Sequence, residues 1–244
     1  MRDPKRNAEY FQAYIAREQH KLQKYEEWLE NGEIAESRIT FTKWHFYMIR
    51  KNIWFAKYSK GDPISTLVEP YEEMLHIFLN LDFLDGVEFW YEDVLTLLSL
   101  GVLLDSDMDG FRKLFGMAQE IWNDWLCRYL AHSRMPEVEV PDKLLAPRFF
   151  LHLHQGLRLI VIKQSADYML TYLKKTWYQG NRDSAWHGRH QRDKDGKFDY
   201  DRSTYCGYWS FESGAVAKIL GFDDSVLKNA PYYPYNLVHF GDEK

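Results

Sequence analysis

Apolar residues recur at helical spacing along most of the chain. In residues 7–31, Phe11, Tyr14, Ile15, Leu22, Tyr25 and Leu29 share one side, and Asn31-Gly32 supplies a stop. Residues 36–59 repeat the pattern with Ile39, Phe46, Ile49, Ile53 and Phe55. That second helix carries a basic surface of Arg38, Lys43, Arg50, Lys51, Lys57 and Lys60, read either as a solvated face or as a counterweight to acidic neighbours.

A third helix is expected after Asp62-Pro63, an N-cap and first-turn pair. Ile64, Leu67, Val68, Tyr71, Met74, Leu75, Phe78 and Leu79 fill one side, with Glu69, Glu72, Glu73, His76 and Asn80 opposite. Pro70 lacks an N–H and crowds the preceding turn, so a kink or restart is expected there. A fourth helix over 86–104 buries Val87, Tyr91, Val94, Leu98 and Val102. Asp85, Glu88, Glu92, Thr96 and Ser99 form its polar stripe, with Phe89 at the edge of that stripe.

The run Asp105-Ser-Asp107-Met-Asp109-Gly110 begins like a calcium loop. Its ninth and twelfth positions, Lys113 and Gly116, lack the required carboxylates, so Asp107 or Ser106 is read as the cap of a helix over 108–132. The wide apolar load of that fifth helix marks it as the central one. Pro136, Pro141 and Pro147 then mark a linker. Helix resumes over 148–178, and 180–206 reads as a long loop or short hairpin. A helix over 207–220 ends at Gly221, Asp223-Asp224 open another short helix, and the chain ends in a turn at 235–240. The expectation is an all-α, multi-helix bundle: an N-terminal helical part (1–132), a Pro-containing linker (133–147) and a C-terminal helical part (148–244), the two parts packed together.

Composition narrows the class. Of 244 residues 45% are hydrophobic and 17% aromatic, enough for a core rather than a disordered chain. The start, Met1-Arg2-Asp3-Pro4-Lys5-Arg6, lacks a secretory apolar run, and Val94–Leu104 is about half a bilayer span. Cys127 and Cys206 fit no metal or redox motif and read as reduced thiols in a cytosolic protein that engages no membrane. A net charge of −5 argues against direct nucleic-acid binding.

The charge is unevenly placed. Gly61–Phe111 holds twelve Asp and Glu residues and no Lys or Arg, so the remainder of the chain sums to +7 (−5 minus −12). Such a patterned acidic face suits a basic protein partner.

Chemistry is the alternative. His187-x-x-His190 with Asp199, Asp201 and Glu212 contains ligand types for a metal-dependent hydrolase, but at no standard spacing, and Arg189 and Arg192 disfavour a cation. No phosphate loop, G-x-S-x-G or Cys–His arrangement is present. His152 and His154 read as hydrogen-bonded core or groove histidines. Glu212, in an aromatic helix, reads as a buried carboxylate with an ion-pair or tyrosine partner. No catalytic residue, metal or cofactor is assigned.

The C-terminal run Gly207-Tyr208-Trp209-Ser-Phe-Glu212, then Leu220-Gly221-Phe-Asp223-Asp224, then Tyr232-Tyr233-Pro234-Tyr235, resembles the PoNi family of bacterial immunity proteins. The N-terminal half, including Tyr91-Glu92 and Leu97-Leu98-Ser-Leu, is similar to that family's helical first domain. The resemblance implies a non-enzymatic, all-helical cytosolic protein that protects its producer from a cognate PoNe-type DNase toxin. Such toxins have a PD-(D/E)XK-like core and are exchanged between competing bacteria. The motif residues are expected to build scaffold. A DNase cleft must attract a polyanion and is expected to be basic. The expected toxin-binding residues are therefore Glu69, Glu72, Glu73, Asp85, Glu88, Phe89 and Glu92. A regulatory module for another basic protein would share this surface. The oligomeric state is left open.

Overall fold

The computed structural model describes residues 1–81, 91–121, 124–141 and 151–242, excluding the side chains of 118–121 and 194. The described residues are helices, turns and irregular segments without a strand, so the fold is all-α. None of their helices is long and apolar enough to cross a membrane.

The chain divides into two compact units that interleave in sequence: Met1–Phe83 with Gly188–Tyr208, and Leu84–His187 with Trp209–Lys244. The segment 133–147 lies within the second unit, and its residues 142–147 fall outside the described residues.

The first unit is built on α1 (Ala8–Glu30) and α2 (Ile39–Lys60). Asn7 caps α1, its side chain accepting the Tyr10 N–H at 2.9 Å. Gly61, at φ 105°, ends α2 with its N–H turned back to Lys57 and Tyr58. The two helices run antiparallel, with Lys60 bonded to Gln12 near one end and Tyr25 against Phe46 towards the other. A 3₁₀ turn, Ile64–Leu67, leads into α3 (Val68–Leu79). The restart expected at Pro70 thus occurs two residues earlier, and Pro70 sits in the first turn, where its missing N–H leaves no broken bond. Tyr71, Met74, Leu75 and Phe78 of α3 are buried, and Phe78 meets Tyr47 of α2 with ring centroids 5.0 Å apart.

Residues 188–208 return to this unit as turns and two 3₁₀ segments, Arg189–Gln191 and Lys194–Gly196, with no hairpin. Buried polar groups fasten them. Arg17 donates to the carbonyls of Tyr200 and Ser203, each at 2.7 Å. Asp193 is fully buried at its carboxylate and accepts from Tyr10, Arg6 and Ser203.

The second unit is arranged around α4 (Tyr91–Leu104), of which all but Glu92 and Thr96 are buried. This corrects two expectations. The central helix is α4 rather than the fifth, and its polar stripe, half-exposed at Glu92 and Thr96, ends in the interior at Ser99, which is buried and bonds to the Leu95 carbonyl at 2.7 Å. Packed on α4 are α5 (Met108–Ile121) and α6 (Trp125–His132). The single helix expected over 108–132 is therefore two, because Asp124 caps α6 through the Cys127 N–H at 2.9 Å. Asp107 caps α5 as expected, accepting the N–H of Asp109 and Gly110.

Next come α7 (Leu151–Lys163) and α8 (Ala166–Tyr172), the latter continuing through a π segment, Leu173–Trp177, into the single turn α9 (Tyr178–Gly180). The last two helices are α10 (Phe211–Leu220), which packs on α4, and α11 (Tyr235–Val238). The helix expected from 207 starts at Phe211, because Gly207 takes φ 115° and the Ser210 N–H goes to Tyr232.

Candidate functional site

The acidic residues expected to form one face are distributed over both units. Glu69, Glu72 and Glu73 lie on α3 in the first unit and Glu92 on α4 in the second. Asp85, Glu88 and Phe89 lie outside the described residues.

On α3 the two faces separate as the spacing predicts. Glu69, Glu73, His76 and Asn80 are exposed and Glu72 is half-buried, opposite the buried Tyr71, Met74 and Phe78. Part of this charge is answered within the chain. Arg50 of α2 holds Glu73 at 3.1 Å and Glu26 of α1 at 3.2 Å, joining three helices. The Glu73 side chain is still 54% exposed, so the pair leaves its carboxylate largely in water, where such bridges contribute little to stability. Lys60 pairs with Asp62 at 3.1 Å. The basic helix thus balances part of its acidic neighbour.

Glu92 behaves differently. It is half-buried, accepts a hydrogen bond from the Ser184 hydroxyl, and sits close enough to Glu212 to raise that residue's pKa. It belongs to the interior of the second unit as much as to its surface.

That interior holds the polar groups most suggestive of chemistry. Tyr91 donates to Asp124 at 3.1 Å and also bonds to His154 Nε2, while His154 Nδ1 stands 3.1 Å from the other Asp124 oxygen. His154 and Asp124 have no exposed side-chain surface. Burial lowers the His154 pKa, partly opposed by Asp124, and raises that of Tyr91. The expected hydrogen-bonded core histidine is therefore His154, whereas His152 is exposed. Buried and bonded to one another, the trio works as a structural knot.

Glu212 accepts from Trp177 Nε1 at 2.5 Å and from the Ser210 hydroxyl at 2.7 Å. Burial raises its pKa against these bonds. Its partner is a tryptophan rather than the expected tyrosine or cation.

The remaining motif residues form a packing unit. Tyr233 donates to the buried Asp224 at 2.6 Å, and His239 stands 2.8 Å from the second Asp224 oxygen. Asp223 accepts the Ser225 N–H. A Cβ on Gly214 would lie 2.5 Å from Pro234, so the helix and the Tyr-Tyr-Pro-Tyr segment require each other's shapes. Tyr232 stacks near Trp177 and Tyr178, and Tyr235 against His239. In the first unit, the Tyr208 hydroxyl meets the His190 backbone N–H and Nδ1, both at 3.1 Å. Trp209 is half-buried.

The histidines considered for a hydrolase are used as aromatic packing: His187 stacks on Tyr178 with centroids 4.1 Å apart. Among the described residues no group of three His, Cys, Asp or Glu side chains could hold a metal ion. Both cysteines are buried and free, and burial pushes the Cys206 thiol up to about 11. Sequence reasoning missed the aromatic surface at the α1–α2 turn, because nothing in the spacing of Trp28 and Phe41 singles them out from the apolar positions around them.

Comparisons with known proteins agree with this architecture. A crystal structure of protein PA2201 from Pseudomonas aeruginosa matches with a TM-score of 0.66 at 20% identity, covering 98% of this chain and 90% of that one, which shows a shared fold. No curated protein sequence matches the chain. Family profiles match both halves: the PoNe immunity protein (PoNi) N-terminal profile over residues 2–115, and the C-terminal profile over residues 122–237. Matched over nearly its whole length, the chain belongs to the PoNi family of PoNe immunity proteins.

Proposed function

We propose that this chain neutralises a cognate PoNe-type DNase toxin by binding it, performs no chemistry of its own, and lays acidic helical surface against the toxin's DNA-binding cleft. The observation that carries this reading is α3. Glu69, Glu72 and Glu73 stand on its outer side over a rigid apolar back, in a stretch of chain with no Lys or Arg. A nuclease must hold a polyanion, so a carboxylate surface competes for the groups that receive phosphate. Opposite fields also speed encounter, which suits an antidote that must arrive before damage accumulates.

The test is co-expression with a cognate PoNe toxin. The chain should rescue growth and co-purify with the toxin, and Glu69→Lys/Glu72→Lys should weaken both while leaving the helical circular-dichroism signal unchanged. Full rescue by that variant would move the interface away from α3. Glu92 is a poorer position for such a test, since its bond to Ser184 ties it to the interior.

A further inference from the structure

The turn joining α1 to α2 displays an aromatic surface that the first unit's core does not use. Trp28 is 43% and Phe41 59% exposed. Among the described residues with exposed large apolar side chains, they are the only tryptophan and the only phenylalanine. They are linked through a continuous run of rings. Trp28 meets Tyr25 edge-on at 5.3 Å, Tyr25 meets His45 at 6.0 Å, and His45 meets Phe41 at 4.5 Å. His45 Nδ1 is buried without a hydrogen-bond partner, and burial lowers its pKa, so the ring adds no positive charge here.

The α1 and turn side of this surface is acidic, while Arg38 and Lys43 flank Phe41 on the other side. From Tyr25 to Ser37 the chain has Glu26, Glu27, Glu30, Glu33 and Glu36 and no Lys or Arg. Glu27 and Glu33 accept hydrogen bonds from the neutral side chains of Gln23 and Asn31, which leave their charge in place. Glu26 shares Arg50 with Glu73, so the rim continues into the acidic side of α3.

We propose that this turn is the docking anchor for the toxin, with Trp28 and Phe41 entering the partner's surface beside a carboxylate rim. The inference rests on the reading that the chain binds a PoNe nuclease, and adds where the energy of that contact is concentrated. Binding energy concentrates in a few aromatic residues that become fully desolvated, while the surrounding polar rim excludes water and selects the partner. The charge selects a basic partner, as a DNA-binding surface is. The aromatic anchors predict slow dissociation, and the glutamates predict fast, salt-sensitive association.

The experiment measures association and dissociation of a nuclease-dead PoNe toxin from the full chain and two variants. Trp28→Ala/Phe41→Ala should raise Kd roughly 100-fold, mainly through faster dissociation, with unchanged circular dichroism. Glu27→Lys/Glu33→Lys should slow association and flatten its salt dependence with dissociation little changed. Both substituted pairs are at exposed positions, and a melting temperature equal to that of the parent separates lost contact from lost fold. Tight wild-type binding that neither variant alters would overturn the anchor and leave the immunity reading standing. No binding by the wild-type chain would overturn both.

Discussion

The Tyr10 hydroxyl donates to the carboxylate of Asp193 at 2.9 Å, joining positions 183 residues apart within one compact unit. Arg6 reaches the same carboxylate at 3.3 Å and Ser203 at 2.7 Å. A polar segment that reads as a loop is thereby fixed to the first helix. Burial, and then Asp193, raise the Tyr10 pKa, which keeps its phenol a donor.

Removing Asp193 should strand Arg6 in a site where its side chain is 7% exposed. We expect Asp193→Ala to cost about 3–5 kcal/mol, the usual penalty for breaking a buried pair from one side. Asp193→Asn should cost less, because its amide oxygen can still accept from Tyr10 and Arg6 while its amide N–H2 donates to a turned Ser203 hydroxyl. Urea denaturation of the three proteins checks the order.

Gly214→Ala tests the fit between α10 and Pro234. The new methyl would meet Pro234 at 2.5 Å and Val238 at 3.4 Å, so one element must shift. A loss of about 1–3 kcal/mol is expected from such overpacking. A midpoint equal to that of the parent would show that the Tyr-Tyr-Pro-Tyr segment gives way freely.

Glu212 predicts a pH dependence of definite sign. Its folded pKa is raised by burial above the ordinary 4.5, against bonds from Ser210 and Trp177. Its contribution is complete below 4.5 and is lost as pH rises through the folded value, where the buried group must ionise. Glu212→Gln keeps an oxygen for Trp177 and never ionises. Its stability relative to the parent should therefore improve from about pH 4.5 to about pH 8. A relative stability that stays flat or worsens over that range contradicts the assignment.

His239 should show the opposite side of linkage. Burial lowers its pKa, but hydrogen bonds to Asp242 and Asp224 prevail and raise it above 6.5. The stabilisation from imidazolium is complete below 6.5 and lost as pH rises through the folded value. His239→Ala should thus be more costly at about pH 5.5 than at about pH 8.5, and stability measured at both pH values decides it.

Much of the helical order was legible because it follows local rules. Asn31-Gly32 ends α1 with Gly32 at φ 67°, Gly221 ends α10 at φ 63°, Asp107 caps α5, and the apolar side of α3 is the buried side. What escaped depends on contacts between distant residues. Asp124 ends a run of continuous helical periodicity because its carboxylate is occupied by the Cys127 N–H and Tyr91. Residues 188–208 are fixed by Arg6, Tyr10 and Arg17, a dependence that spacing within the segment does not carry. The polarity of Ser99 suggested a solvated stripe, whereas its hydroxyl is satisfied by its own helix. For the candidate surface, the charge pattern located α3, but Trp28 and Phe41 look identical in sequence to core aromatics and only their exposure separates them.

The central claim is that carboxylates of this chain meet a basic toxin surface. Titrating a nuclease-dead PoNe toxin into the wild-type chain and into Glu69→Lys/Glu72→Lys across a range of salt concentrations tests it most directly. The account predicts a tight wild-type complex whose affinity falls as salt rises, and a variant complex that is weaker and less sensitive to salt. A wild-type affinity indifferent to salt and equal to that of the variant would contradict it.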